Sequence, residues 1–219
     1  RFYVKFNFTI FICIICVNST RSPAGIICYF AGLCLSCMYH IMEIIMERYN
    51  PYEMHRIVIP EFIFGSGSME TADRWVSDLG ARKVLVITDP GVMKAGWSEI
   101  TDRLVKNAGI RFVLFNGVNE NPSDSNVRDG AGLFKKEKCD LILAVGGGSV
   151  MDCAKGVAAV NSGIIRITEF EGDDLVPLRI PQIICIPTTA GTASDVSHYA
   201  MITSAGDRRK FIVKSRKII

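Results

Sequence analysis

Charge is scarce at the start of this chain: among its first 46 residues only Arg1, Lys5, Arg21 and Glu43 carry it. Histidine is scarce throughout, with three in 219 residues. No basic stripe with interleaved aromatics occurs, and 25 basic residues nearly balance 22 acidic ones. That argues against nucleic acid as the default partner. No internal repeat or low-complexity linker is visible. The length suits one good-sized domain, with a second cramped.

Apolar residues make up 49% of the chain, and they crowd its charge-poor start. Residues 6–17 form a nearly continuous apolar run. Residues 24–42 form a longer one, nineteen residues without a formal charge, close to the length that spans a bilayer. A signal peptide fits less well, since no small-residue cleavage site precedes the globular part. The chain begins with Arg1 rather than methionine, and Met42, Met46 and Met54 precede the more polar sequence. An upstream leader read in frame, with the true start at Met46 or nearby, is therefore preferred for residues 1–46. A membrane or targeting segment is the alternative, and a packed structural element comes third.

Cysteine follows the same split. Cys13, Cys16, Cys28, Cys34 and Cys37 are in the leader. The pairs Cys13-x-x-Cys16 and Cys34-x-x-Cys37 are seventeen residues apart, which formally matches a four-cysteine zinc spacing. The surrounding Ile, Leu, Phe and Val argue against it, because zinc ribbons are mostly polar loops supplying N–H donors to the thiolates. Cys139, Cys153 and Cys185 lie singly in apolar patterns and read as reduced, buried small hydrophobes of a cytoplasmic protein.

From residue 53 the chain reads as a single α/β domain. Short strands are predicted at 56–59, 62–64, 83–88, 111–115, 141–145 and 183–186. Helices are predicted at 68–79, 97–107, 123–137 and 150–160, with Gly80 stopping the first. Apolar runs such as Lys83-Val-Leu-Val-Ile-Thr88 suit strands buried on both faces. The alternation implies a doubly wound, mostly parallel sheet of Rossmann-like architecture. Residues 199–203 and 210–213 read as a hairpin. No closing helix or polar cap follows, so the domain, residues 53–219, is read as truncated at its C-terminal end.

The sharpest motif is Ala144-Val145-Gly146-Gly147-Gly148-Ser149-Val150-Met151-Asp152. A buried strand enters three glycines and a helix begins. Glycines let backbone N–H groups approach an anion without an intervening Cβ. The helix start adds unpaired N–H groups and the positive end of the dipole. Ser149 is expected to cap that helix, with Asp152 reaching back as in a capping box. Such a loop suits phosphate or pyrophosphate; the bland alternative is a tight turn with no ligand. The terminal Gly-Lys-Ser/Thr of a Walker loop is absent, and Gly-x-Gly-x-x-Gly does not fit.

A ribose-binding acid ordinarily follows the glycines by about 20 residues. Here the best candidate, Asp89, precedes them at the end of a predicted strand. It could accept from a ribose 2′-hydroxyl and repel a 2′-phosphate, or be only a solvated turn residue before Pro90-Gly91. A second site-like stretch, Ile186-Pro187-Thr188-Thr189-Ala190-Gly191-Thr192-Ala193-Ser194-Asp195, crowds hydroxyls and small residues at the end of a buried strand, as a ligand-lining loop would.

Together, GGGSVMDCAKG from Gly146 to Gly156 and IPTTAGTASDVS from Ile186 to Ser197 resemble the iron-containing alcohol dehydrogenase family. FGSG from Phe64, VITDPG from Val86 and Asn121-Pro122 support the match, in the family's order. The resemblance implies an N-terminal α/β domain for NAD(P) and a C-terminal helical domain for the metal. It implies that Asp89 binds the adenosine ribose and favours NAD, and that Asn121 lines the adenine side. Gly146, Gly147, Gly148, Ser149 and Asp152 would hold the pyrophosphate. Thr188, Thr189 and Thr192 would line the cleft towards the nicotinamide, and Met201 and Lys210 match further cofactor-contacting positions.

In that family a divalent metal, Fe2+ or sometimes Zn2+, polarises the alcohol oxygen while hydride passes to the nicotinamide. Its ligands, one Asp and three His in the helical domain, would begin after Ile219, so no metal ligand is assigned among these residues. His40, His55 and the ligand-like spacing Asp195-x-x-His198 are not taken as metal sites. The resemblance implies an alcohol or aldehyde substrate and leaves a homo-oligomer open for the full-length form. Glycerol dehydrogenase, a dehydroquinate-synthase-like relative, or an inactive nucleotide-binding module, membrane-anchored if residues 24–42 span, are the competing assignments.

Overall fold

The computed structural model describes residues 11–16, 60–65, 67–96, 109–163, 166–177 and 179–218. Six strands form one parallel sheet: β1 (Phe11–Cys16), β2 (Glu61–Gly65), β3 (Lys83–Ile87), β4 (Arg111–Phe115), β5 (Leu141–Gly146) and β7 (Gln182–Pro187). Their spatial order is β2-β1-β7-β5-β3-β4. A second sheet has the order β6-β9-β8, from β6 (Gly172–Asp173), β8 (Tyr199–Thr203) and β9 (Lys210–Lys214).

The central strands are apolar at consecutive positions because each face of the sheet is covered, and successive side chains point to opposite faces. Leu85, Ile87, Ile142, Ala144, Ile183 and Cys185 enter one core cluster. Val84, Val86, Leu141, Leu143, Val145, Ile184 and Ile186 enter the other. The first cluster is closed by α3 (Asp124–Lys136) and α4 (Gly148–Val160), with residues such as Val127, Ala131, Ala154 and Val157. The second is closed by Met69, Ala72, Val76 and Val92, from a 3-10 turn (Ser68–Thr71), α1 (Ala72–Asp78) and α2 (Pro90–Lys94). Helices on both faces make the fold doubly wound, as expected.

Local chemistry sets several boundaries. Gly80 adopts φ +70°, the left-handed conformation that ends a helix readily only in glycine. Ser123 caps α3 through a capping box with Asn126, whose backbone N–H it accepts and whose side chain accepts from the Ser123 backbone. The predicted strands at 62–64, 83–88, 111–115, 141–145 and 183–186 match observed strands to within a residue or two. The 199–203 and 210–213 hairpin is antiparallel, with Met201 opposite Ile212.

One stretch of the apolar residues 1–46, Phe11–Cys16, is a strand paired in parallel with β2 and with β7. Residues 24–42, the Cys34–Cys37 pair, the predicted strand at 56–59 and the predicted helix at 97–107 lie outside the described residues. Among the described residues no helix is long and apolar enough to cross a membrane. Cys139, Cys153 and Cys185 are free and buried. Burial pushes the Cys139 thiol up to about 11 and the Cys153 thiol to about 12, so both stay protonated at neutral pH.

The strand order of the large sheet positions the glycine turn. The chain leaves β3 for the edge strand β4, then returns past β3 to form β5 on its other side. The strand order therefore reverses between β3 and β5. In open parallel sheets the crevice at such a reversal, beyond the carboxyl ends of the strands, is where ligands bind.

Candidate functional site

The glycine turn leaves the carboxyl end of β5 at that reversal. None of its three glycines adopts a positive φ. What they supply is room. A Cβ on Gly146 would lie 2.5 Å from Val150 Cγ2. One on Gly147 would meet Thr189 Oγ1 at 3.0 Å, and one on Gly148 would meet Thr192 at 3.0 Å. The threonine-rich loop after β7 is thus folded directly against the turn, as close as glycine permits.

Helix α4 begins at Gly148, two residues earlier than its apolar periodicity suggests. The N-cap is Gly147, in extended conformation (φ −84°, ψ −168°), and no side chain caps this end. The expected capping box of Ser149 and Asp152 does not form. Capping requires a residue with extended backbone ahead of the first turn, whereas Ser149 already lies within the helix. The Gly147 carbonyl accepts from the amides of Val150 (3.0 Å) and Met151 (3.1 Å). By helix geometry, the amides of Gly148 and Ser149 have no intrahelical acceptor. A helix start left uncapped by side chains is suited to an anion.

Released from capping, the two side chains reach across the crevice. Ser149 Oγ accepts from the Asn121 amide at 3.3 Å, and Asn121 Oδ1 accepts from Lys210 Nζ at 2.7 Å. Asn121 adopts φ +55°, a left-handed conformation that Asn tolerates better than most residues. The Asp152 carboxylate accepts from the Met201 amide at 3.2 Å and is hydrogen-bonded to Ser194. Burial pushes its carboxyl up to about 6, against the opposing pull of Lys155. The hairpin is fastened on this side of the molecule by the Thr203 amide donating to the Pro122 carbonyl at 2.8 Å.

Asp89 lies at the end of β3, beside β5. This resolves its awkward place in the sequence: the acid comes before the glycines along the chain, yet its strand adjoins theirs. Its Oδ1 accepts from the Val92 amide at 2.9 Å, so it caps α2. The Thr188 amide donates to the Gly146 carbonyl at 2.9 Å, closing the crevice from the β7 side.

Two residues outside the sequence-based set belong to this surround. Thr88, almost fully buried, donates its hydroxyl to the Val145 carbonyl at 2.8 Å and ties the end of β3 to the glycine turn. Lys155 is completely buried on α4. The signal for it was a lone lysine among Cys153, Ala154, Gly156 and Val157, where the helix pattern is otherwise apolar and small. His198 packs against the Tyr199 ring at 4.1 Å, and burial lowers its tendency to protonate. Among the described residues no group of three or more His, Cys, Asp or Glu side chains is placed to hold a metal ion.

Comparisons place this geometry among known proteins. Residues 60–219 match the family model described as iron-containing alcohol dehydrogenase. The 1,3-propanediol dehydrogenase of Klebsiella pneumoniae is 36% identical over 169 residues, which is 75% of this chain and 43% of that protein. The choline dehydrogenase of Bacillus subtilis (strain 168) is 40% identical over 174 residues, 78% of this chain and 43% of that protein. Among solved structures, a 1,3-propanediol oxidoreductase aligns with a TM-score of 0.73 at 34% identity, covering 76% of this chain and 44% of that one. An alcohol dehydrogenase from Oenococcus oeni aligns with a TM-score of 0.72 at 31% identity, with the same coverage of 76% and 44%. The chain spans less than half the length of each of these relatives. With most of its length matched and the parallel sheet and glycine turn in place, this chain belongs to the iron-containing alcohol dehydrogenase family.

Proposed function

We propose that residues 60–219 form the NAD-binding half of a metal-dependent alcohol dehydrogenase that interconverts an alcohol and its aldehyde or ketone. One observation carries this: a thirteen-residue helix, uncapped by any side chain, begins at a glycine turn on β5, directly beside the acid that ends β3. A nicotinamide dinucleotide fits these residues. The amides of Gly148 and Ser149, with the helix dipole behind them, would hold the diphosphate. Asp89 Oδ2 would accept from the adenosine ribose 2′-hydroxyl, and its charge would repel the phosphate of NADP. Thr188, Thr189 and Thr192 would wall the crevice on the β7 side. Asn121 and Lys210, already bonded to each other, would close it from the hairpin side, with Met201 exposed beside them.

Bound NAD would supply the hydride acceptor, and the residues named here would hold and orient it. In a whole family enzyme the metal would polarise the alcohol oxygen; among the described residues here, no group of three or more His, Cys, Asp or Glu is placed to hold one. The metal and the alcohol are assigned to parts of a whole family enzyme other than residues 60–219. The cytoplasm is the proposed compartment, supported by three buried free thiols.

The test is titration of the chain with NADH, followed by quenching of protein fluorescence or by calorimetry. Saturable one-to-one binding is expected. Gly148→Val, which drives a branched side chain into Thr192, is expected to weaken it by at least about a hundredfold, the scale of a misplaced binding group. Absence of saturable binding, or equal affinity in the glycine variant, overturns the assignment.

A further inference from the structure

The segment from Thr188 to His198 carries the threonines proposed to wall the crevice, yet it contains no strand and no helix. Its internal backbone bonds are few: the Val196 and Ser197 amides donate to the Ala193 carbonyl, and the Ser194 amide donates to Thr192 Oγ1. Ala193 holds a left-handed φ of +49°. Such a stretch needs an external anchor to keep one shape.

The anchor is on α4. Lys155 is fully buried, and its ammonium donates to the Ser197 carbonyl, to Ser197 Oγ (3.3 Å) and to the Tyr199 carbonyl (3.1 Å). One turn earlier on the same helix face, the Asp152 carboxylate accepts from the Met201 amide. The helix therefore grips the chain at residues 197, 199 and 201, just where the loop passes into β8. At its N-terminus the same helix meets the loop through Gly147 against Thr189 and Gly148 against Thr192. Lysine suits this task because it offers three donors and no acceptor, and the acceptors it meets are backbone carbonyls and a hydroxyl. Burying a cation is costly unless it is well hydrogen-bonded or paired, and these bonds, together with the charge of the Asp152 carboxylate one turn away, help Lys155 to lie here.

We propose that Lys155 is a positioning residue, which holds the exit of the threonine-rich loop on α4 and so sets where Thr188, Thr189, Thr192 and Met201 meet the cofactor. This rests on the nucleotide-binding assignment above for its cofactor half. Lys155 touches no cofactor itself. It acts through the loop, and its effect falls on the nicotinamide side of the crevice rather than on the end of β3.

The experiment uses the full chain with Lys155→Met, which keeps an apolar side chain of similar length and removes the donors. Amide hydrogen exchange is measured without nucleotide, and NADH and ADP are titrated separately. Faster exchange is expected in residues 188–201, with β5 and β3 unchanged. NADH binding is expected to weaken about tenfold, while ADP, which lacks the nicotinamide half, shifts by less than about twofold. A merely structural lysine would weaken both ligands together or raise exchange throughout the sheet, and either result overturns the proposal. So does unchanged exchange in residues 188–201. If wild-type chain binds neither NADH nor ADP, the nucleotide assignment fails, and with it the cofactor half of this inference. The exchange result still decides separately whether Lys155 sets the loop. Should Lys155→Met not fold, Lys155→Arg, which keeps a charged donor of different shape, is expected to show the same selective changes at smaller amplitude. Their absence in Lys155→Arg counts equally against the proposal.

Discussion

The two sheets of this molecule handle burial in opposite ways. In the large parallel sheet every residue of β5 from Leu141 to Gly146 is buried. In the small sheet, β8 and β9 alternate: Ala200, Ile202, Phe211 and Val213 are buried, while Tyr199, Met201 and Ile212 are exposed. The cause is coverage. The large sheet has helices on both faces, whereas the small one packs a single face, on the cluster that includes α4. An unbroken apolar run thus marks a scaffold strand. A two-residue alternation marks a strand with one face left over, and here the leftover face lies at the proposed cofactor crevice.

The sharpest way to break that comparison is to truncate matched positions. Leu143→Ala, in the middle of β5 and completely buried, is expected to cost about 2–5 kcal/mol. Ile212→Ala, in the middle of β9 and 44% exposed, is expected to cost under about 0.5 kcal/mol. Urea denaturation followed by circular dichroism checks both. Similar losses at the two positions would mean that the second face of the small sheet is covered after all.

The joint between the two sheets runs through Asp152, on a helix of the large sheet and bonded to Met201 in the small one. Its carboxyl is raised, mainly by burial, from the ordinary 3.8 to about 6. The folded state therefore binds this proton more tightly than the unfolded chain does. Stability from this group is gained as pH falls from about 6 towards 3.8, and the ionised, buried carboxylate costs stability at higher pH. Asp152→Asn, which can still accept from the Met201 amide, is expected to flatten that slope. At neutral pH the gain would be on the order of 1–3 kcal/mol. Denaturation at several pH values reads it, and an unchanged slope would mean that Asp152 is better solvated than its burial implies.

The smallest contrast lies within α3, which covers one face of the large sheet. A Cβ on Gly130 would sit 2.9 Å from Val157 of α4, whereas Gly132 has open space around it. Gly130→Ala is expected to destabilise by about 1–3 kcal/mol through overpacking. Gly132→Ala is expected to stabilise by about 0.5–1 kcal/mol, because alanine has less backbone freedom to lose in a helix. Thermal melts distinguish the signs.

Much of the scaffold was legible because its signals are local. Periodicity marked α3 and the central strands, and Gly80 marked a helix end; the Ser123–Asn126 cap, which was not among the expectations, is local as well. The expected cap at Ser149 failed for an equally local reason, since the helix had already begun at Gly148. The glycine turn was legible as the start of a helix on a buried strand, the feature on which the proposed anion site rests, but the need for its glycines was only half visible. Gly146 is crowded by the nearby Val150, but Gly147 and Gly148 are crowded by Thr189 and Thr192, some forty residues away. Lys155 is a lone charge in an otherwise apolar stretch of helix, a signal not used in the sequence-based set, and nothing within its helix says what it bonds.

The order of residues along the chain decided where most helices and strands begin, which strands are buried on both faces, and where a glycine turn leads a buried strand into a helix. Those outcomes depend on backbone geometry and side-chain spacing within a few neighbours. Only the folded sheet decided that Asp89 stands beside the glycine turn, that Asn121 meets Lys210, and that Lys155 clasps the threonine-rich loop. Each of these depends on which strand lies next to which, and strand order is settled by the packing of the whole core.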